Sequence, residues 1–170
     1  MNQKNHQSTI VVMGGGSFGS ALSYCVAKVN PDSAVYILTR NPEVVSGINT
    51  DHCNPCYLNN ADYIFPENIQ ATSDKTVLKQ ADYIIHTIPI QSSLAYLENV
   101  KPYIRQSIPI ISASKGIHSE TLEYMSHIIP QALGNPNQPT AYFSGPSFAK
   151  ELVMDIPTAV VVASQDSELA

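Results

Sequence analysis

Ile10-Val11-Val12-Met13 runs directly into Gly14-Gly15-Gly16-Ser17-Phe18-Gly19, and apolar residues then return at Phe18, Leu22, Val26 and Val29 with the period of a helix. A strand that feeds a glycine turn and then a helix admits few architectures. The pattern G-x-G-x-x-G, at Gly14, Gly16 and Gly19, is weak alone but gains weight between a strand and a helix. There Gly14 permits the tight turn, Gly16 lets the backbone approach a pyrophosphate, and Gly19 lets the helix pack close to the strand. The open N–H groups and positive end of the helix dipole favour phosphate oxygens.

Two competing motifs fail on context. Gly15, Ser17 and Gly19 also spell G-x-S-x-G, the nucleophile elbow of α/β-hydrolases. An elbow needs earlier strands and a loop that supplies an oxyanion donor, and this strand is the first in the chain. Ser147-Phe148-Ala149-Lys150 has the S-x-x-K spacing of penicillin-interacting serine enzymes, without their S-D-N and K-T-G companions.

The rest of the chain alternates strand-like and helical segments. Further strands are expected at Ala34–Leu38, Tyr83–Ile88, Pro109–Ser112, Ala141–Phe143 and Thr158–Ala163. Asn41-Pro42-Glu43 reads as a helix cap, a proline at the first helical position and an acid in the first turn. Leu94, Leu97 and Val100 mark one helix, and Leu122, Met125 and Ile129 another. Asp51 to Asn68 reads as a loop broken by Pro55 and Pro66, and Asp166-Ser167-Glu168-Leu169-Ala170 as the start of a helix. Continuous β-branched runs imply strands covered on both faces. The expected fold is therefore α/β: a Rossmann-type doubly wound, mainly parallel sheet with helices on both faces. Residues 1–8 are read as a polar tail and 9–170 as one dinucleotide-binding domain, the front part of a longer protein.

Composition narrows the function. The 170 residues carry 9 basic and 14 acidic side chains, a net charge of −5, which argues against a nucleic-acid platform. No apolar run approaches the ~20 residues of a membrane-spanning helix. Three cysteines form no closed disulfide framework, so a cytoplasmic location is expected. Cys53 and Cys56 lack the further ligands a zinc site requires and read as incidental loop cysteines; no metal is expected. His86 reads as a hydrogen-bonded core residue, and Tyr36, Tyr83 and Tyr142 as core packing.

The second strand ends Leu38-Thr39-Arg40-Asn41, without the carboxylate that grips ribose hydroxyls in NAD-preferring domains. Arg40 can stack on adenine or pair with a 2′-phosphate, or remain a solvated surface residue, so both NAD and NADP stay open. Gly14, Arg40, Pro89 and Lys115 each follow a strand and should line one sheet edge, where ligands of such sheets bind. An ammonium there would stabilise charge on a carbonyl oxygen receiving hydride, although Lys115 also reads as a solvent-facing lysine. Gly145-Pro146-Ser147 offers N–H groups and a hydroxyl to a substrate, or an ordinary turn with a capping serine.

Four strings taken together resemble the bacterial-type NAD(P)-dependent glycerol-3-phosphate dehydrogenases: the Gly14–Gly19 loop, His52-x-Asn54-x-x-Tyr57-Leu58, Ser114-Lys115-Gly116, and Ser144-Gly145-Pro146-Ser147-Phe148-Ala149-Lys150-Glu151-Leu152. The resemblance runs from Thr9 to the end of the chain, and the last string is its most specific part. One departure is Asn59-Asn60, where the family usually has proline and often glycine; a local loop change without chemical consequence is expected. The resemblance implies interconversion of dihydroxyacetone phosphate and sn-glycerol 3-phosphate by hydride transfer, for glycerophospholipid synthesis. It implies cofactor contacts at Gly14, Gly16, Ser17, Phe18, Gly19, Arg40, Lys115 and Ala149, and substrate contacts at Lys115, Gly145 and Ser147. It also implies a second, helical domain, absent from these residues, that supplies the proton-transfer lysine and an Arg-Asn grip on the substrate phosphate. No catalytic proton-transfer residue is thus expected in this chain, which should bind cofactor with little or no turnover. A homodimer is carried as the expectation for the full-length protein. The alternatives are a non-catalytic dinucleotide-binding or redox-sensing module and another two-domain dehydrogenase, which the Ser144–Leu152 string speaks against.

Overall fold

The computed structural model describes residues 7–58 and 64–170. The strands are β1 (Thr9–Met13), β2 (Ala34–Leu38), β3 (Ile69–Thr72), β4 (Tyr83–His86), β5 (Ile110–Ser112), β6 (Thr140–Ser144) and β7 (Val161–Ser164). The helices are α1 (Ser17–Val29), α2 (Pro42–Asp51), α3 (Ile90–Val100), α4 (Met125–Leu133) and α5 (Ala149–Val153), with 3-10 turns at Lys75–Lys79 and Lys101–Tyr103. One sheet runs in the order β3-β2-β1-β4-β5-β6-β7, parallel throughout except for the β6–β7 pair. This is the doubly wound architecture expected from the continuous apolar strands.

Residues at alternate strand positions build two separate cores. Val11, Met13, Ile84 and Ile110 join Leu97, Val100, Ile128 and Ile129 of α3 and α4 on one face. Ile10, Val12, Val35 and Ile37 join Ala21, Ala27, Val44, Ile48 and Val153 of α1, α2 and α5 on the other. The central strands β1, β2 and β5 are covered on both sides, which is why their apolar runs are unbroken rather than alternating. The α2 cap forms as the sequence implies: the Asn41 side chain accepts from Glu43 N–H at 3.0 Å, with proline in the first turn.

Several expectations need correction. Leu122 lies outside α4, in a left-handed conformation (φ 57°) and 74% exposed; its helical spacing to Met125 is accidental. Residues 167–169 form a turn rather than a helix; Asp166 accepts from Glu168 N–H at 2.9 Å, so the cap hydrogen bond closes a turn. Tyr83 is 44% exposed and is no core residue, whereas Tyr36 and Tyr142 pack against the α3–α4 side. The fourth strand stops at His86, because Thr87 and Ile88 already belong to the crossing towards α3. The last strand begins three residues later than expected, at Val161, and runs antiparallel. β3 carried no expectation: Ile69-Gln70-Ala71-Thr72 is too short and mixed to announce a strand. Asn59 and Asn60, where a loop change was expected, lie outside the described residues, as do residues 1–6.

Candidate functional site

Sheet order reverses at β1, with β2 on one side and β4 on the other. A crevice opens beyond the carboxyl ends of strands at such a point. The first turn on that edge is Gly14, at φ 115°, whose N–H donates to Leu38 O at 3.0 Å. A β-carbon at Gly19 would lie 2.1 Å from Gly14 O and 2.6 Å from Thr87 Oγ1. A β-carbon at Gly16 would meet nothing within 4 Å. The turn is thus crowded against the fold at Gly19 and bare towards the crevice at Gly16. Gly16 is also the N-cap of α1, with no side-chain cap and no acid in the first turn. The first-turn N–H groups therefore have no intrahelical acceptor and no competing carboxylate. Ser17 and Phe18 open that turn. These residues fit the phosphates of a dinucleotide.

Two side chains given no role from the sequence hold this turn. Thr87 Oγ1 donates to Met13 O at 2.8 Å, beneath the glycines. The fully buried Asn54 donates through its amide to Gly15 O at 3.0 Å and Ser20 Oγ at 2.8 Å, while its Oδ1 accepts from Cys56 N–H at 3.1 Å. The signal for Asn54 was its place in the His52–Leu58 string; Thr87 left none.

Lys115 draws three loops together. Its Nζ lies 5.3 Å from the Phe18 ring centroid and donates to Gly145 O at 3.3 Å. Phe18 also meets Phe143 at the end of β6, with centroids 6.1 Å apart. Phe18, Lys115 and Gly145, named separately from the sequence, thus meet at one place. Ser147 is buried beside them, with Oγ 3.4 Å from Gly145 O. It does not cap α5, whose N-cap is Phe148. Ala149 opens α5 and packs against the α1 side of the sheet. Arg40 is exposed beyond β2, across β1 from Lys115. Arg40, after β2, and Lys115, after β5, thus lie to either side of the β1 turn.

His86 is buried at the end of β4, as expected of a core residue. Its Nδ1 lies 2.9 Å from Ser114 Oγ, and burial lowers the imidazole pKa to about 4. Cys53 and Cys56 are free thiols. Desolvation, with the Glu43 carboxylate nearby, raises the Cys56 pKa, the opposite of what a reactive thiolate needs. Among the described residues no group of three or more His, Cys, Asp or Glu could hold a metal ion, and no helix is long and apolar enough to cross a membrane.

Residues 9–170 match the family model described as the N-terminus of NAD-dependent glycerol-3-phosphate dehydrogenase. A chloroplastic glycerol-3-phosphate dehydrogenase [NAD(+)] of Oryza sativa subsp. japonica is 48% identical over 162 residues, 95% of this chain and 36% of the relative. A glycerol-3-phosphate dehydrogenase [NAD(P)+] of Nitratidesulfovibrio vulgaris is 36% identical over 161 residues, 94% of this chain and 48% of the relative. The crystal structure of glycerol-3-phosphate dehydrogenase from Coxiella burnetii superposes with a TM-score of 0.84 at 28% identity, covering 95% of this chain and 48% of that one. This chain therefore spans between about a third and a half of the length of these relatives.

Proposed function

The chain belongs to the NAD-dependent glycerol-3-phosphate dehydrogenase family, and from that premise we propose that residues 9–170 form the cofactor domain of an enzyme interconverting dihydroxyacetone phosphate and sn-glycerol 3-phosphate. The nicotinamide cofactor, when bound, supplies or accepts the hydride. The Gly14–Gly19 turn and the start of α1 hold its phosphates, with Gly16 giving the closest approach. Arg40 faces the adenosine end and is compatible with either NAD or NADP. Phe18 and Lys115 face the nicotinamide end, with Ala149 beside it. Lys115, Gly145 and Ser147 present an ammonium, a turn and a hydroxyl to the substrate. The ammonium stabilises negative charge growing on the carbonyl oxygen during reduction.

The observation that carries this reading is the junction at Lys115, where one ammonium touches both the glycine loop, through Phe18, and the Gly145 turn. The proton-transfer group and the substrate-phosphate grip are assigned to a further helical domain of the full-length protein. This chain should then bind NADH in a calorimetric titration yet reduce dihydroxyacetone phosphate at least ~10² more slowly than a chain of family length. Rapid turnover by the 170 residues alone would overturn that assignment. In the longer chain, Lys115→Ala should lower kcat by ~10² with little change in stability. Glycerophospholipid synthesis is the proposed use of the product. A reducing compartment such as the cytoplasm is proposed from the sequence, whose three cysteines form no closed disulfide framework. A homodimer is proposed for the full-length protein, checked by light scattering.

A further inference from the structure

We propose that His86 is a positioning residue for Lys115, acting through the Ser114 hydroxyl. The inference rests on the reading of Lys115 as a ligand-facing residue. His86 is wholly buried at the end of β4, on the side packed by α3 and α4. Its strand neighbours on that face are Met13 and Ser112, and its ring meets Tyr96 of α3 edge-on with centroids 6.5 Å apart. Its Nδ1 lies 2.9 Å from Ser114 Oγ. Ser114 Oγ in turn lies 2.6 Å from Ile88 O.

Hydrogen counting sets the direction of this chain of bonds. A serine hydroxyl has one proton, and the Ile88 carbonyl can only accept. Ser114 therefore donates to Ile88, and its lone pair receives Nδ1–H from His86. The ring is the neutral Nδ1–H tautomer, and Nε2, which has no hydrogen-bond partner, is the bare nitrogen. Burial keeps the ring neutral at physiological pH.

The outcome is a rigid strap. It ties the residue before Lys115 to the carbonyl at which the chain leaves β4 for α3. The Ser93 hydroxyl of α3 spans the same turn, 3.1 Å from Pro89 O and 3.3 Å from Ile88 O. Beyond Lys115, Gln91 of α3 donates to Ile117 O at 3.0 Å and accepts from Ser119 N–H at 2.9 Å. Lys115 is thus held on both sides while its ammonium stays exposed. A hydrophobic residue would fill the space of His86, but it could not fix the rotation of the Ser114 hydroxyl.

Asparagine and glutamine separate this role from simple packing. The amide nitrogen of asparagine can stand where histidine has Nδ1, whereas that of glutamine reaches the place of Nε2. Three measurements on the 170-residue chain follow. Long-range ¹⁵N–¹H correlation at pH 7, with His86 assigned by loss of its signals in His86→Asn, should show the Nδ1–H tautomer. Exchange of the Ala113 amide, which donates to His86 O at 2.9 Å just before Ser114, should quicken about tenfold in His86→Gln and in Ser114→Ala, and by less than about twofold in His86→Asn. NADH affinity should weaken about fivefold in His86→Gln and be restored to within about twofold by His86→Asn. An Nε2–H tautomer, or equal exchange in the asparagine and glutamine variants, overturns the proposal. If His86→Gln does not fold, the wild-type tautomer and Ser114→Ala still decide. A wild-type chain with no affinity for NADH overturns the cofactor reading instead, and tautomer and exchange then judge the strap alone.

Discussion

At Gly19 a methyl group has no room. Alanine is normally worth about 1 kcal/mol over glycine inside a helix, but a β-carbon 2.1 Å from a backbone oxygen cannot be relieved by turning a side chain. Gly19→Ala should therefore destabilise the fold by roughly 1–3 kcal/mol, read from urea unfolding. Gly16→Ala makes the opposite pair: with φ −77° and open space, it should leave stability within about 0.5 kcal/mol while weakening NADH binding at least tenfold. His86 adds a pH dependence. Its folded pKa of about 4 lies below the usual 6.5, so between these values the unfolded chain binds a proton that the folded chain does not. Stability then rises with pH across that window, and the contribution is lost as pH falls from 6.5 towards 4. The loss is on the order of 3 kcal/mol. Urea unfolding at pH 7 and pH 4.5 should show the loss in the wild type and a smaller one in His86→Asn. At this scale Gly14 and Gly19 were readable because only the smallest residue tolerates such contacts. Thr87 and the His86–Ser114 link were not, since a threonine and a histidine in a strand have many ordinary explanations.

Elements were legible where one requirement dominated their composition. β1, β2 and β5 are covered on both faces and so consist of unbroken apolar runs, and α2 carries its start signal in Asn41-Pro42-Glu43. β3 draws its stability from pairing with β2 and from α2, whose Asn49 donates to Ala71 O at 2.9 Å and accepts from Ala71 N–H at 2.8 Å. Those partners are distant in sequence, and the strand's own residues say little. Asn54 works likewise, fastening the segment after α2 to the start of α1. Asn54→Ala would strand a buried carbonyl and a buried hydroxyl, and should cost about 2–3 kcal/mol. Differential scanning calorimetry would check this, with Asn54→Asp as a second loss, because the carboxylate cannot donate to Gly15 O.

Across the whole molecule, the antiparallel β7 completes a sheet whose last strand is largely open to solvent. Val161 is 67% exposed there. An apolar strand at a sheet edge invites pairing with another chain. Val161→Lys should reduce concentration-dependent association in light scattering and shift stability by less than about 0.5 kcal/mol. Parallel order was foreseeable, because strand–helix alternation allows little else; the final reversal was not, because a short strand carries no mark of its direction. The rim of the crevice has one further property. Its fastenings run from side chains to main-chain oxygens: Thr87 to Met13, Asn54 to Gly15, Ser114 to Ile88 and Gln91 to Ile117. A contour gripped by its peptide groups does not depend on which residues decorate it, so mutation can retune what the crevice accepts without recasting its outline.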